Sequence, residues 1–136
     1  MNVVVRAARD DDADAIEQLL VAARNEVAHK KGGPALLEGR ASRPGDRWLA
    51  LLGGVPVGVA VVRVVGAAAV LEVLFTEPSA RGVGVGHALM EAVTTTARER
   101  GCARVESIAL PGDRHTKNFF EAHGLVARAL IVSAEL

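Results

Sequence analysis

The sequence predicts a single α/β domain built on a mixed, mostly antiparallel sheet flanked by helices, and three observations lead there. Between Trp48 and Thr76 three apolar runs follow one another with only glycine-bearing breaks between them, the pattern of an antiparallel meander. On both sides of this block apolar residues recur at helical spacing, first at Ile16, Leu19, Leu20, Ala23 and Val27, then at Ala88, Leu89, Ala92, Val93 and Ala97. Finally, 136 residues, of which 50% are apolar, can bury one ordinary core, whereas two would each be marginal. Residues 1–136 are therefore read as one domain.

Val3 to Val5, running into Arg6, is a short strand. The acidic run Asp10-Asp11-Asp12 then offers an N-cap and dipole-favoured charges for an amphipathic helix from Asp12 to His29. Lys30 to Asp46, with its four glycines and two prolines, reads as a loop with room for one short helix at Leu36 and Leu37. Trp48 to Leu52 and Val55 to Val65 are strands joined by Gly53-Gly54, a pair that can take the positive φ angles of a tight hairpin. Ala67 to Thr76 continues the meander. The glycine-rich turn Arg81 to Gly86 leads into the second amphipathic helix, which stops at Gly101. Val105 to Leu110 reads as a strand, His115 to His123 as a helix closed by Gly124, and Leu125 to Leu136 as one more strand or hairpin.

Composition excludes several classes of function. Sixteen basic residues balance sixteen acidic ones, so no overall field draws the protein to nucleic acid or to an anionic membrane. With no tyrosine, one tryptophan and three phenylalanines, the stacking surfaces that hold single-stranded nucleic acid are scarce as well. His29, His87, His115 and His123 are scattered and never paired with a second cysteine at ligand spacing, so no metal site is expected. The single Cys102 allows no internal disulfide, and Met1-Asn2-Val3 opens no signal sequence; a cytoplasmic protein is expected. The apolar stretches are broken well before the roughly 20 residues of a membrane span.

Arg81-Gly82-Val83-Gly84-Val85-Gly86-His87 lies between a strand and a helix, where the first helical amides have no partners within the helix. Such a turn can cradle an anion, because glycine lets the backbone approach and the helix dipole favours a pyrophosphate; alternatively it is only a tight connection. Arg81 adds a positive charge at its rim. Neither glycine frame fits G-x-G-x-x-G, since His87 and Leu89 stand where the last glycine belongs, and His87-Ala88 replaces the Lys-Ser or Lys-Thr of a triphosphate loop.

The run Pro78-Ser79-Ala80-Arg81-Gly82-Val83-Gly84-Val85-Gly86 resembles the acetyl-CoA signature of the GNAT acyltransferases: Arg or Gln, two residues, Gly, one residue, Gly or Ala. Phe119-Phe120-Glu121-Ala122-His123-Gly124-Leu125 is similar to the later segment of that family, an aromatic, three residues, Gly and Phe. The resemblance implies a GNAT-like domain whose sheet splays open at the cofactor, with acetyl-CoA as acyl donor. It implies that backbone groups of Leu74, Phe75 and Thr76 pair with the pantetheine arm and that the amides from Arg81 through Gly82, Val83, Gly84, Val85, Gly86 and His87 hold the pyrophosphate. Asp113 or Asn118 would touch a more distal part of the cofactor, although either can equally cap or decorate the short helix. A backbone N–H near Phe75 would hold the oxyanion of the tetrahedral intermediate.

Acetyl transfer needs an unprotonated amine, and a lysine-like amine titrates near 10.4, so a base or a desolvating pocket must remove its proton. Glu72, in Val70-Leu71-Glu72-Val73-Leu74, is a lone charge in an apolar strand and is expected to face a cleft or solvent. It is the candidate base; Glu106, in a comparable setting, is expected to be a solvent-facing charge. Where this family commonly has a tyrosine that protonates the departing thiolate, the chain has Phe120, which has no proton to give. Ser107, Thr116, His115 or water is left to assist, with a thiol of pKa about 8.5 already a fair leaving group. Leu125 in place of the usual Phe affects packing only. His115 and His123 read as surface groups, and Cys102 as a small packed residue.

The function expected is direct N-acetyl transfer from acetyl-CoA to the amine of a small molecule or protein. The alternative is a catalytically silent CoA-binding sensor or interaction module, and a homodimer stays open. Acceptor specificity is expected in the first helix and the Lys30 to Asp46 loop, where Glu26, Glu38 and Asp46 either attract a cationic amine or are simply solvated surface charges.

Overall fold

The structure is a computed structural model that describes residues 2–40 and 45–136. Its strands are β1 (Val3–Ala7), β2 (Asp46–Leu52), β3 (Val55–Val65), β4 (Ala68–Thr76) and β5 (Arg104–Glu106), and its helices are α1 (Ala13–Ala28), α2 (Gly33–Arg40), α3 (Val85–Glu99) and α4 (Arg114–Ala122). Short 3-10 turns at Asp10–Asp12 and Pro78–Ala80 precede α1 and α3. The five strands form one open sheet in chain order, antiparallel from β1 to β4 and parallel between β4 and β5. The parallel step follows from α3, which carries the chain back across the sheet between those two strands.

Because strand residues alternate between faces, each run of the meander supplies two cores. On one face α1 buries Ile16, Leu19, Leu20 and Ala23 against Leu49, Val59, Val61 and Phe75. On the other, Val85, Leu89, Met90, Val93 and Ala97 of α3 pack with Ala50, Val57, Ala60, Val62, Ala69, Leu71 and Phe120. These are the residues whose helical spacing marks α1 and α3 in the sequence.

Two expected elements differ. β5 stops at Glu106 instead of reaching Leu110, and residues 125–136 form neither strand nor helix. Strand-forming composition has no effect without a ladder to join: Leu130, Ile131 and Val132 are almost fully exposed and pair with nothing in the sheet. The short helix allowed for between Lys30 and Asp46 is α2; the part of that loop at 41–44 lies outside the described residues.

Asp12 of the acidic run takes the N-cap position of α1, as expected, but its side chain accepts no bond from the amides of that helix. Asp12 turns back instead, taking both terminal nitrogens of Arg6 and, at 2.8 Å, the amide of Arg9. The Arg6 bond, followed by the Arg9 amide, lowers the Asp12 carboxyl from 3.8 to about 2. A group whose pKa is lower folded than unfolded stabilises the fold above its ordinary pKa and ceases to do so as pH falls through the folded value. The melting temperature of Asp12→Asn should therefore lie below that of the wild type at neutral pH, and the gap should close between pH about 4 and about 2. A gap that persists at the acid end would show that the substitution acts through packing alone.

Candidate functional site

β4 and β5 pair only from Ala68 opposite Arg104 to Val70 opposite Glu106. Just beyond, the Ser107 hydroxyl donates to the Leu71 carbonyl at 2.9 Å. Past that bond the strands part, leaving a wedge about 16 Å long from Leu71 to Thr76 at ordinary strand rise.

The pairing phase decides which backbone groups face the wedge. The Glu77 amide donates to the Val57 carbonyl at 2.8 Å. Hydrogen-bonded pairs alternate along an antiparallel ladder, so Phe75, opposite Val59, turns its N–H and C=O toward β3. Leu74 and Thr76 turn theirs toward the wedge. Of the three residues expected there, Phe75 is thus corrected: its amide belongs to the sheet, and its ring is buried in the α1-side core. A register shift sets this phase. Val61 lies opposite Val73 and Val62 opposite Leu71, which leaves Glu72 as the extra residue of a β-bulge.

At the wide end of the wedge, Gly82 (φ 84°) and Gly84 (φ 91°) turn the chain into α3, with Gly84 as the N-cap. Both occupy backbone conformations that side chains rarely take. Among the described residues, no protein acceptor receives the amides of Gly82 through His87; the first amide to find one is that of Ala88, on the Gly84 carbonyl. Gly86 serves packing, since a Cβ there would lie 3.3 Å from the Phe119 ring of α4.

Arg81 is not the free cation expected at the rim. Its Nε donates to the Thr76 carbonyl at 3.0 Å and its NH2 to Glu26 of α1 at 2.6 Å, with the guanidinium 5.7 Å from the Phe75 ring centroid. It fastens the loop to β4 and α1. Lys30 continues this chain of charges, 3.8 Å from Glu26 and 2.8 Å from Asp113. Asp113 caps α4, accepting from the Thr116 amide at 3.2 Å and hydroxyl at 2.7 Å. Burial works to raise its pKa, and the bonds from Lys30 and Thr116 outweigh it, so the carboxyl stays below its ordinary range. Of the two residues expected to touch the distal cofactor, Asp113 is the capping group and Asn118 is exposed on α4.

Glu72 is neither open to solvent nor bare in a cleft. Its side chain is only 7% exposed, and Arg63 of β3 donates to its Oε1 through Nε at 3.0 Å and NH2 at 2.9 Å. The ion pair offsets the desolvation that made a mid-strand charge look costly. In sequence Glu72 is next to Leu71, whose carbonyl closes the vertex with Ser107. Glu106 is exposed as expected and pairs with Arg104. The acidic groups expected to draw a cationic acceptor are mostly engaged: Glu26 with Arg81 and Lys30, and Asp46 with Arg100, while Glu38 is exposed on α2. Phe120 is 8% exposed and packs in the α3-side core. Of the groups left to assist the leaving thiolate, Ser107 stands at the vertex, Thr116 is held by Asp113, and His115 is exposed.

Sequence reasoning missed Arg63, although a signal existed. With β3 and β4 joined by a tight turn at Gly66, a cation nine positions before Glu72 falls on the adjoining strand. It also missed the contact between His87 and His123, whose ring nitrogens lie 2.9 Å apart. Among the described residues no cluster of metal-ligating side chains occurs, and no helix is long and apolar enough to cross a membrane.

Residues 13–125 match the model of the acetyltransferase (GNAT) family. No curated protein matches the chain in sequence. Among solved structures, the chain is similar to the aminoglycoside acetyltransferase AAC(6')-Iy in complex with a bisubstrate analogue, with a TM-score of 0.77, 19% identity, and 100% of this chain and 99% of the other covered. A second structure of that enzyme, in complex with CoA, gives a TM-score of 0.75 at 20% identity over 99% of this chain and 95% of the other. The ribosomal-protein-alanine N-acetyltransferase of Brucella melitensis biovar Abortus 2308 gives 0.74 at 16% identity over 99% and 100%. Identities this low speak for the fold.

Proposed function

This chain belongs to the acetyltransferase (GNAT) family, and we propose that it moves the acetyl group of acetyl-CoA directly to the amine of a small molecule or protein, residues 1–136 acting as one domain. The observation that carries this reading is the run of unengaged amides from Gly82 to His87 at the wide end of a wedge whose β4 wall offers the backbone of Leu74 and Thr76. Amides at a helix start suit a pyrophosphate. An arm laid along β4 from there brings its thioester toward Leu71, Glu72 and Ser107. That a structural neighbour is held with CoA in the same fold supports the donor.

In this arrangement the Leu74 amide, rather than that of Phe75, is the backbone donor for the oxyanion. Glu72 takes the ammonium proton, and Arg63 holds the carboxylate in place while it does so. The amine then attacks the thioester carbonyl, the nitrogen gives its second proton to solvent, and collapse of the tetrahedral intermediate breaks the C–S bond and expels the CoA thiolate. Phe120 has no proton for that thiolate, so the leaving group departs with help from solvent or from the Ser107 hydroxyl. The Arg63–Glu72 pair has no net charge, and Glu26 and Asp46 are already partnered, which favours an acceptor carrying few positive charges. The lone Cys102 fits a cytoplasmic setting.

The test is CoA release by the purified protein supplied with acetyl-CoA and a panel of amines, with the acetylated amine identified by mass. Release without any acetylated amine would indicate a thioesterase, and no release with any amine would leave a silent CoA-binding module.

A further inference from the structure

β4 and β5 pair from Ala68 to Val70 and are joined once more by Ser107 on the Leu71 carbonyl. Beyond that bond, no backbone hydrogen bond among the described residues links 71–77 with 107–113. The far ends of the two walls are nevertheless connected through side chains. From the β4 side, the Thr76 carbonyl accepts from Arg81 at 3.0 Å, and Arg81 donates to Glu26 at 2.6 Å. Glu26 lies 3.8 Å from Lys30, too far for a hydrogen bond but close enough for the charges to attract. Lys30 then donates to Asp113 at 2.8 Å, at the end of the chain that leads away from Ser107.

Lys30 is held where it can make this contact. Its N–H donates to the Val27 carbonyl at 3.0 Å and its carbonyl accepts from the Gly33 amide at 2.9 Å, which fixes the turn between α1 and α2. That turn lies against the far wall: a Cβ at Gly32 would be in ordinary contact with Leu110 at 3.7 Å and Pro111 at 3.8 Å. Arg81 reaches the same side of the sheet, its guanidinium beside the Phe75 ring of the α1-side core. On α4, Phe119 and Phe120 seat the second half of the helix in the α3-side core, whereas Arg114 and His115 of its first turn are exposed. Among the described residues, Lys30–Asp113 is the charge pair that fastens that first turn to the rest of the fold.

From this geometry we infer that Lys30 is a positioning residue of the donor site. With Asp113 it completes a strap, Thr76–Arg81–Glu26–Lys30–Asp113, that ties the two walls together at the wide end of the wedge and holds them at the spacing the CoA arm requires. The inference rests on the cofactor reading above. A wedge pinned only at its vertex can open like a hinge, and the backbone of Leu74 and Thr76 then draws away from anything lying along it. The strap opposes that opening. Its charges alternate in sign, and Glu26 and Lys30 each serve two neighbours, so the cost of holding a long side chain is shared between contacts. A connected network of this kind contributes where a lone surface pair does not, the more so because the Asp113 side chain is only 13% exposed. Lys30 acts on the width of the slot and touches none of the reacting atoms.

The experiment is stopped-flow displacement of CoA from the full chain by an excess of a fluorescent CoA analogue. Wild type is compared with Lys30→Met, which keeps the stem and loses the charge, with Lys30→Arg, with Asp113→Asn and with the Lys30→Met/Asp113→Asn double variant. Asparagine caps a helix as well as aspartate does, so α4 keeps its start while Lys30 loses its partner. Lys30→Met and Asp113→Asn should each release CoA about two- to fivefold faster, the size of a part-exposed charge pair. The double variant should be no faster than the quicker single one, because both substitutions remove the same contact. Lys30→Arg should release CoA at the wild-type rate, and added salt should narrow the gap between wild type and Lys30→Met by screening the strap. Wild-type release rates in both single variants, or effects that multiply in the double variant, overturn the inference while leaving the CoA site standing, even where the melting temperature falls. Failure of the wild type to bind CoA overturns the cofactor reading and the strap's role with it. Should Asp113→Asn not fold, Lys30→Met against Lys30→Arg decides, and equal release rates in those two contradict the strap.

Discussion

Gly84→Val is expected to weaken CoA binding by about 100-fold or more while the chain still folds. Gly84 is the N-cap of α3 at φ 91°, a region a β-branched residue hardly enters. Nothing stands within 4 Å of a Cβ built there, so crowding is not the problem. The backbone must rotate, and the amides of Gly82 to His87 then no longer converge. Each hydrogen bond to a charged group contributes about 1.5–3 kcal/mol, so misdirecting two of them suffices for the stated loss. Strain of about 1–3 kcal/mol lies within the stability of an ordinary domain. The control is Gly66→Val, at the β3–β4 turn with φ 58° and equally open surroundings. It should cost comparable stability and leave CoA affinity intact. If Gly84→Val folds and binds CoA as the wild type does, the anion cradle is not where the cofactor sits.

Glu72→Gln is expected to lower turnover about 10²–10⁴-fold near neutral pH with CoA affinity unchanged, the range for loss of a positioned base. The loss should shrink as pH rises toward the acceptor's own pKa, near 10.4 for a lysine-like amine, because more acceptor arrives already deprotonated. Glutamine keeps an oxygen for Arg63, and Arg63, about one-third exposed, can hydrate, so the variant should fold. Equal rates and an unaltered pH profile in Glu72→Gln would place the base elsewhere. Glu106 would be next, although it is exposed and paired with Arg104.

The meander was legible because β2, β3 and β4 bury continuous apolar runs separated by glycine turns, and α1 and α3 because their buried residues keep a helical period. The β-bulge at Glu72 was not, since a shift in register leaves no mark on composition and appears only when two strands are paired. That single shift moves the wedge-facing amides to Leu74 and Thr76 and away from Phe75. The segment 125–136 misled for a related reason: its residues favour a strand, but strand formation depends on a partner edge, and among the described residues none pairs with it. The glycine loop was legible in position, while the fate of Arg81 depended on Glu26, which lies 55 positions earlier in sequence and comes alongside only through the packing of α1.

Phe120 is where this chain departs from the tyrosine of its family's pattern, and it separates an enzyme from a CoA-binding relic most directly. The decisive measurement is CoA release from acetyl-CoA, with the same amine, by wild type and by Phe120→Tyr, accompanied by CoA affinity for both. If the protein transfers acetyl groups without a phenolic acid, thiolate departure is not the slow step, and restoring the hydroxyl should change turnover less than about tenfold. A wild type with no detectable transfer to any amine, from which Phe120→Tyr recovers orders of magnitude at unchanged CoA affinity, would contradict the account and identify a silent CoA-binding module.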